Sequence, residues 1–337
     1  MNKCAVVQHI LKAYSKEPKR EQGTFFAPSN IALCKYWGKR DTELNLPHTS
    51  SLSISLGNLG AKTTIALEQA LKDRISINGK EVDEDSIFSK NLSHFLDLFR
   101  PLNSVFFRVA TEVNIPIGAG LASSACGFAA VVGALDQLYG WELPLSLLSI
   151  LGRLGSGSAS RSFWHGFVEW QAGHDADGMD SAGACLESVW PALRIGVLIV
   201  DSEQKKLSSR IAMQNTVLTS PFYKIWPEKQ ARDLKDLKKA IEKQDFMALG
   251  ETTESNALAM HALMLTTSPP ILYSQASTLE AIDKIWHYRQ LGLPLYFTQD
   301  AGPNLKLLFL EKDEEAIIKI FPKLIVVSPF NIGAFQC

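Results

Sequence analysis

Apolar and polar positions alternate on two different periods along this chain. Near its start, Val6, Val7, Ile10, Leu11 and Tyr14 fall three and four residues apart, the spacing of a short amphipathic helix. A strand pattern follows, with Phe25 and Phe26, then Ile31, Ala32 and Leu33, interrupted by Pro28 and Ser29. Residues 51–56 alternate as a second strand. Residues 62–67 and 74–77 read as sheet leading to a hairpin turn at Asn78-Gly79, and residues 105–113 as a β-branched strand. Helical spacing governs residues 85–99, 144–154, 227–243, 246–258, 274–291 and 314–321. Further strands are expected around Phe167, Val168 and Trp170, and at 193–200, 294–298, 305–310 and 324–328. The second half therefore reads as antiparallel-type strands with helices on one side, an α+β sandwich, and the boundary between halves falls near Pro191.

The stretch 114–139 joins the two periods. A strand runs into a Pro/Gly loop, Pro116 to Gly120, and Ser123 and Ser124 open an apolar helix that continues to about Tyr139. Glycines let a backbone approach phosphate, and a helix start offers unpaired N–H groups and the positive end of its dipole. The loop is neither a Walker A loop, since no Lys follows its last Gly, nor G-x-G-x-x-G, since Ser123 stands at the third place. From spacing alone it is either a phosphate cradle or a tight turn into a core helix.

Three other stretches carry candidate chemistry. Lys35, Lys39 and Arg40 lie among Tyr36 and Trp37, beside Asn30, and form either a solvated turn or the lining of a polyanion pocket. Gly155 to Ser160 is a second small-residue loop and ends in Arg161, whose guanidinium can grip a carboxylate or phosphate by two N–H bonds, unless the loop is a plain linker. Asp300 stands at a strand end before Ala-Gly-Pro, a place where aspartate is commonly a turn residue. The acidic loop 173–183 lacks the later ligands of a calcium loop.

Composition changes this picture little. The 337 residues suggest two domains at the usual ~100–200 residues each. A formal net charge of −1 gives no bulk reason to expect nucleic acid or an anionic membrane as a partner. Five scattered cysteines without C-x-x-C spacing read as free thiols in a reducing compartment. The N-terminal twenty residues have no long apolar region of the secretory kind. Residues 113–135 carry no charge, but Pro116 and four glycines argue against a membrane span.

Several blocks occur in order along the chain: Ala27-Pro28-x-Asn30-Ile31-Ala32-x-x-Lys35-Tyr36-Trp37-Gly38-Lys39-Arg40, Leu46-Pro47-x-x-Ser50-Ser51-Leu52-Ser53, and Pro116-x-x-x-Gly120-Leu121-Ala122-Ser123-Ser124-Ala125. Ser156-Gly157-Ser158-Ala159-x-Arg161-Ser162, Gly166-Phe167-Val168-Glu169-Trp170, Ala176-Asp177-Gly178-x-Asp180-Ser181, Thr219-Ser220-Pro221 and Asp300-Ala301-Gly302-Pro303-Asn304 follow. Together they resemble the diphosphomevalonate decarboxylase family of the GHMP kinase superfamily. The glycine loop alone indicates only the superfamily, and the first, fourth and last blocks point to the decarboxylases.

The resemblance implies a two-domain α+β fold of GHMP-kinase type. Its N-terminal domain would be ribosomal-protein-S5-domain-2-like, its C-terminal domain a ferredoxin-like α/β sandwich, and its active site the cleft between them. The implied segments are an extension helix at 1–23 and domains at 24–191 and 192–337. The implied reaction is ATP-dependent decarboxylation of (R)-5-diphosphomevalonate to isopentenyl diphosphate, ADP, phosphate and CO2. ATP phosphates would lie on Gly118, Ala119, Gly120, Leu121, Ala122, Ser123 and Ser124, bridged by Mg2+, with Ser124 holding the metal or the γ-phosphate. Asp300 would meet the 3-hydroxyl as base or orienting group, Arg161 and Asn30 the carboxylate, and Lys35 the vicinity of the reacting centre. Tyr36, Trp37, Gly38, Lys39, Ser156, Gly157, Ser158, Ala159 and Ser160 would surround the substrate and its diphosphate, with Thr219 reaching from the second domain. A cytoplasmic homodimer is implied, with neither nucleic acid nor membrane as partner.

This chain departs from the family pattern at three places. Thr49 stands after His48 where Asn is usual, Gln299 replaces the aromatic before Asp300, and an arginine usual after the hairpin has no match, Lys80 and Lys90 being the nearest cations. The neighbouring readings are a related enzyme acting on mevalonate or its 5-phosphate, as decarboxylase or 3-kinase, and a non-catalytic relative that binds a ligand or partner.

Overall fold

A computed structural model describes residues 1–101, 105–115, 123–201 and 207–330. Helix α1 (Lys3–Leu11) precedes strands β1 (Gln22–Cys34), β2 (Lys39–Asp41), β3 (Leu46–Pro47), β4 (Ser51–Glu68), β5 (Arg74–Ile77) and β6 (Lys80–Glu81). Helix α2 (Ile87–Leu96) and strand β7 (Phe106–Val113) lead to helices α3 (Ser123–Tyr139) and α4 (Leu145–Gly155) and a 3-10 turn, Gly157–Arg161. Strands β8 (Phe167–Trp170) and β9 (Gly183–Cys185) complete a seven-stranded sheet ordered β6-β5-β7-β4-β8-β9, with β1 also paired to β4.

Strand β10 (Leu193–Leu198) opens the second half, followed by helices α5 (Ser209–Thr219), α6 (Trp226–Lys243), α7 (Phe246–Leu265) and α8 (Ala276–Gln290). Strand β11 (Tyr296–Gln299), strand β12 (Leu305–Leu310), helix α9 (Glu314–Ile320) and strand β13 (Ile325–Val327) follow. Their sheet is antiparallel throughout, ordered β11-β12-β10-β13. Among the described residues no helix is long and apolar enough to cross a membrane.

The two sheets share one core cluster. Ile31, Leu33, Leu52 and Ile54 from β1 and β4 pack with Leu193, Ile195, Leu237, Leu249 and Tyr296 from the second half. Burying apolar area this way holds the halves together. Both faces of the start of β4 are therefore covered. Ser51, Ser53 and Ser55 are as inaccessible as Leu52 and Ile54 between them. The alternation separates an apolar face packed on the second half from a hydroxyl face on which Ser51 Oγ accepts from Arg161 Nη1, Ser53 Oγ donates to Val168 O and Ser55 Oγ accepts from Gly166 N.

Three local features differ from expectation. Strand β1 runs through Pro28 because the register against β4 slips between Pro28 and Asn30, and a bulge tolerates the missing N–H. Strand β4 continues unbroken where two strands were expected. Helix α5 was not anticipated, since of its apolar residues only Ala212 and Met213 are buried while Ile211 and Leu218 are exposed, and no stripe forms. Among the cysteines, Cys4 and Cys34 are free thiols but Cys185 is disulfide-bonded. Cysteine pairing depends on Cα separations that chain spacing does not reveal.

Candidate active site

A cleft of about 310 Å3 opens between the two halves. Asp300 enters it directly after β11, from a turn closed by Gly302 N donating to Asp300 O at 2.7 Å. Gln299 is buried and donates to Gly302 O at 2.9 Å and Ser274 Oγ at 3.1 Å, so the amide that replaces an aromatic fastens the turn from behind. His261 Nε2 lies 3.1 Å from Asp300 O. Burial, with the Lys35 charge second, pushes His261 down to about 4, so the ring is neutral at pH 7 and carries its proton on Nε2 toward that carbonyl.

Lys35 reaches Asp300 from the end of β1. Its Nζ donates to Asp300 Oδ1 at 2.7 Å and to Ala32 O at 2.9 Å. Burial lowers the Lys35 pKa, and the Asp300 charge and hydrogen bond oppose that shift. A second lysine, Lys306 on β12, stands 3.6 Å from Asp300 Oδ2 and is equally buried. The lysine main chain is also clamped. Lys35 N donates to Asn256 Oδ1 at 2.9 Å, and Gln230 Nε2 donates to Lys35 O at 2.7 Å. Asn256 Nδ2 in turn donates to Asp233 Oδ2 at 2.7 Å and Gln230 Oε1 at 3.2 Å. Helices α6 and α7 thus fix a residue of the first sheet through fully buried amides, whose orientation the network dictates.

Arg161 faces Asp300 across the cleft. Its Nη1 donates to Ser51 Oγ at 2.6 Å and its Nε to Asn30 Oδ1 at 3.3 Å, while Asn30 Nδ2 donates to Ser162 Oγ at 2.8 Å. Burial pushes the guanidinium down to about 10, offset first by Asp300, so it remains charged at neutral pH. Its Cζ lies 5.9 Å from the Trp170 ring centroid. The hydroxyl face of β4 is what receives this side chain.

The far end of the cleft is lined by Tyr36, Trp37, Lys39, Ser156, Gly157 and Ser158. Tyr36 packs edge-on against Trp170, and its buried hydroxyl has no hydrogen-bond partner among the described residues. Gly157 is required there, because a Cβ would sit 2.8 Å from that hydroxyl and 2.9 Å from Trp170. Gly38 has φ +118 and a Cβ on it would collide with the Tyr223 hydroxyl, which instead donates to Trp37 O at 3.2 Å. Ala159 and Ser160 are buried behind the lining, Ser160 Oγ closing the turn onto Gly157 O at 2.8 Å. Lys39 Nζ donates to Asn45 Oδ1 at 2.6 Å, and Asn45 Nδ2 donates to Arg153 O at the end of α4 at 2.8 Å. Burial first, then the charges of Arg210 and Lys3, push Lys39 down to about 8.

Ser124 is exposed at the start of α3 and lines the cleft beside Phe128 and Gly155. Gly118, Ala119, Gly120, Leu121 and Ala122 lie outside the described residues, as does the Ser123 side chain.

Thr219 does not line the cleft. It ends α5, where its Oγ1 donates to Asn215 O at 2.8 Å and accepts from Ser268 N at 2.9 Å. The start of the same helix lines the cleft instead, through Ser208, Ser209 and Arg210. Ten residues at about 1.5 Å rise separate those two ends by roughly 15 Å. The sequence reading contains no α5, and Thr219 enters it only through the Thr219-Ser220-Pro221 block. Lys80 and Lys90 are also remote from the cleft, Lys90 pairing with Asp85 at 3.0 Å on the surface. Arg210, Lys306, His261, Asn45, Asn256 and Gln230 were missed because each is a single polar residue without a local motif.

Comparison with known proteins identifies the family. Residues 27–183 match the family model for the diphosphomevalonate decarboxylase-like N-terminal domain, and residues 195–331 that for the mevalonate 5-diphosphate decarboxylase C-terminal domain. A diphosphomevalonate decarboxylase from Candida albicans is 35% identical over 317 residues, covering 88% of this chain and 86% of that protein. The crystal structure of mevalonate diphosphate decarboxylase from Staphylococcus aureus superposes with a TM-score of 0.86 at 34% identity, covering 93% of this chain and 97% of that one. A structure of MDDEF in complex with MVAPP, AMPPCP and magnesium also gives 0.86, at 36% identity, covering 92% and 97%.

Proposed function

The chain belongs to the diphosphomevalonate decarboxylase family, and on that premise we propose that its cleft converts ATP and (R)-5-diphosphomevalonate to isopentenyl diphosphate, ADP, phosphate and CO2. The observation that carries this assignment is the Asp300–Lys35 ion pair facing a buried Arg161 bonded to Asn30. One carboxylate meets a hydroxyl, and one guanidinium meets a carboxylate.

In this reading Asp300 accepts the 3-hydroxyl proton or orients that oxygen in line with the γ-phosphorus of ATP. Lys35 and Lys306 hold the carboxylate in place from Oδ1 and Oδ2. The new 3-phosphate then leaves with the C–O electron pair, and Asp300 stabilises the positive charge building on C3. Arg161 keeps the substrate carboxylate aligned while the bond to it breaks, and that electron pair becomes the carbon–carbon double bond as CO2 departs. Arg161 accelerates this step only so far as its fit favours the aligned transition state over the ground state. The buried Tyr36 hydroxyl, Lys39, Ser156 and Ser158 hold the 5-diphosphate, joined by Ser208, Ser209 and Arg210 from the second half.

ATP phosphates lie toward the start of α3, with Ser124 against the γ-phosphate. Mg2+ supplies charge neutralisation on the phosphates when bound. Ser124 would hold the ion together with the ATP phosphates. We divide the chain into an extension at 1–23 and domains at 24–191 and 192–337, and read it as a cytoplasmic homodimer, on the strength of family resemblance.

The test compares mevalonate, its 5-phosphate and its 5-diphosphate with Mg-ATP, measuring CO2 and isopentenyl diphosphate release. A large advantage in kcat/KM for the diphosphate is expected. Preference for either other substrate, or ADP release without CO2, overturns the assignment.

A further inference from the structure

Lys35 and Asp300 stand just beyond strands of different sheets, yet one helix touches both of them. On α7, Asn256 Oδ1 accepts from Lys35 N at 2.9 Å. Further along the same helix, His261 Nε2 lies 3.1 Å from Asp300 O. A carbonyl oxygen only accepts, so the ring must donate, which fixes the tautomer with its proton on Nε2. Both side chains are buried, and neither lines the cleft, although Met260 beside His261 does.

Helix α7 is itself held firmly. Glu254 Oε1 accepts from Trp286 Nε1 and from Arg289 Nη2, each at 2.8 Å, and Glu254 Oε2 accepts from Arg289 Nη1 at 3.0 Å. Those bonds tie α7 to α8. Gly250 lets α7 lie directly on β11, because a Cβ there would sit 2.2 Å from the Tyr296 ring. The two sheets also meet at Ala32 O, which accepts from Thr298 Oγ1 at 3.3 Å and from Lys35 Nζ at 2.9 Å. Beyond that junction the chain turns at Asp300. Its carbonyl accepts from Gly302 N within the turn and from His261 outside it. The first bond closes the turn and moves with it. The second refers the turn to a packed helix.

We propose that His261 is a positioning residue of the reaction: its Nε2–H on Asp300 O sets where the Asp300 carboxylate stands relative to Lys35 and the substrate hydroxyl. Helix α7 then acts as a gauge between the two halves, with Asn256 on one member of the ion pair and His261 on the other. The inference rests on the proposed function for what Asp300 does, but not for how Asp300 is held. A ring that stays neutral gives this bond without adding a third cation beside Lys35 and Lys306. A displacement of about 1 Å at a reacting group can cost on the order of 10^2 in rate, so a residue outside the cleft can still govern turnover. Gly302 N continues to satisfy Asp300 O when the His261 donor is lost. Misplacement, rather than a stranded buried carbonyl, is therefore the expected consequence.

The test uses the full chain carrying His261→Phe, His261→Leu or His261→Gln. Phenylalanine keeps a ring without a donor, and glutamine returns an amide N–H near the place of Nε2. With Mg-ATP and 5-diphosphomevalonate, kcat is expected to fall roughly 10- to 30-fold in His261→Phe and His261→Leu. KM for both substrates and the melting temperature stay near wild-type values, and His261→Gln restores most of kcat. In 15N-histidine spectra of the wild-type chain at neutral pH, the signals lost in His261→Gln should show a proton on Nε2 and none on Nδ1. Wild-type kcat in both His261→Phe and His261→Leu overturns the inference, as does His261→Gln no faster than those two, or a proton on Nδ1 in place of Nε2. If His261→Phe and His261→Leu do not fold, the wild-type ring spectrum and recovery of kcat in His261→Gln decide. If the wild-type chain releases no CO2 from the 5-diphosphate, the functional reading fails, and the ring spectrum still decides the contact to Asp300 O.

Discussion

The two ends of the cleft are built on opposite principles. At the reacting end every charge is already answered by the protein. Asp300 stands between Lys35 and Lys306, and Arg161 is held by Asn30 and Ser51. At the other end the Tyr36 hydroxyl is buried without a partner among the described residues, and burial with the Arg210 and Lys3 charges lowers the affinity of Lys39 for its proton. Electrostatic catalysis requires groups that need not reorganise when charge develops, so that end is pre-paired and buried. Recognition of a polyanion gains from donors that only the ligand satisfies. Changes at the first end should therefore appear in kcat, and changes at the second in KM.

The largest expected effect is from Asp300→Asn, which keeps the shape of the turn and removes the charge. Turnover should fall by roughly 10^3 or more, given the loss of both proton acceptor and charge stabiliser. Binding of a non-hydrolysable ATP analogue should change less than about twofold. Turnover near wild type would erase the distinction between the two ends. Arg161→Lys comes next, because an ammonium cannot span Asn30 and Ser51 while presenting a flat fork to a carboxylate. A drop of about 10^2 in kcat is expected, with ADP formed in excess of CO2; a 1:1 ratio at full rate would remove Arg161 from the decarboxylation step.

Asn256→Asp sharpens the comparison from behind the site. It sets a second carboxylate against Asp233, where the amide now donates at 2.7 Å, and perturbs the clamp on Lys35. A cost of about 3 kcal/mol in denaturant unfolding is expected for an uncompensated buried charge, together with a fall in kcat of about tenfold. Destabilisation with unchanged kcat would show the clamp to be structural only. The smallest effect concerns pH. Lys39, held at about 8 in the free enzyme, loses its proton as pH rises through that value, so kcat/KM for the diphosphate should decline above about pH 8. Lys39→Arg should move that decline to higher pH, and an unmoved limb would assign it to another group.

Legibility in the sequence differed between the same two ends. Asn30, Lys35, Arg161 and Asp300 stand in dense local motifs, and all four line the cleft. Arg210 and Thr219 sit on a helix without an apolar stripe, so nothing local said that such a helix existed or which of its ends turned inward. The alternation of the β4 serines with leucine and isoleucine marks a strand, but only the structure pairs Ser51 with Arg161, Ser53 with Val168 and Ser55 with Gly166. Gln299 read as a loss of the usual aromatic, whereas its amide bridges a turn that an aromatic could not hydrogen-bond.

By itself the sequence determined the strand and helix inventory of most of the chain, the glycine and serine loops, and the reactive side chains carried in contiguous motifs. Those depend on interactions within a few residues, where periodicity, turn chemistry and spacing act directly. Tertiary structure alone decided that Lys306 and His261 flank Asp300, that amides from α6 and α7 clamp Lys35, and that Val6 and Val7 of α1 pack in one cluster with Leu44 and Leu46. These contacts join residues up to more than two hundred positions apart. Each is a single polar side chain whose partner is chosen by how the two sheets share a core, and no local pattern encodes that choice.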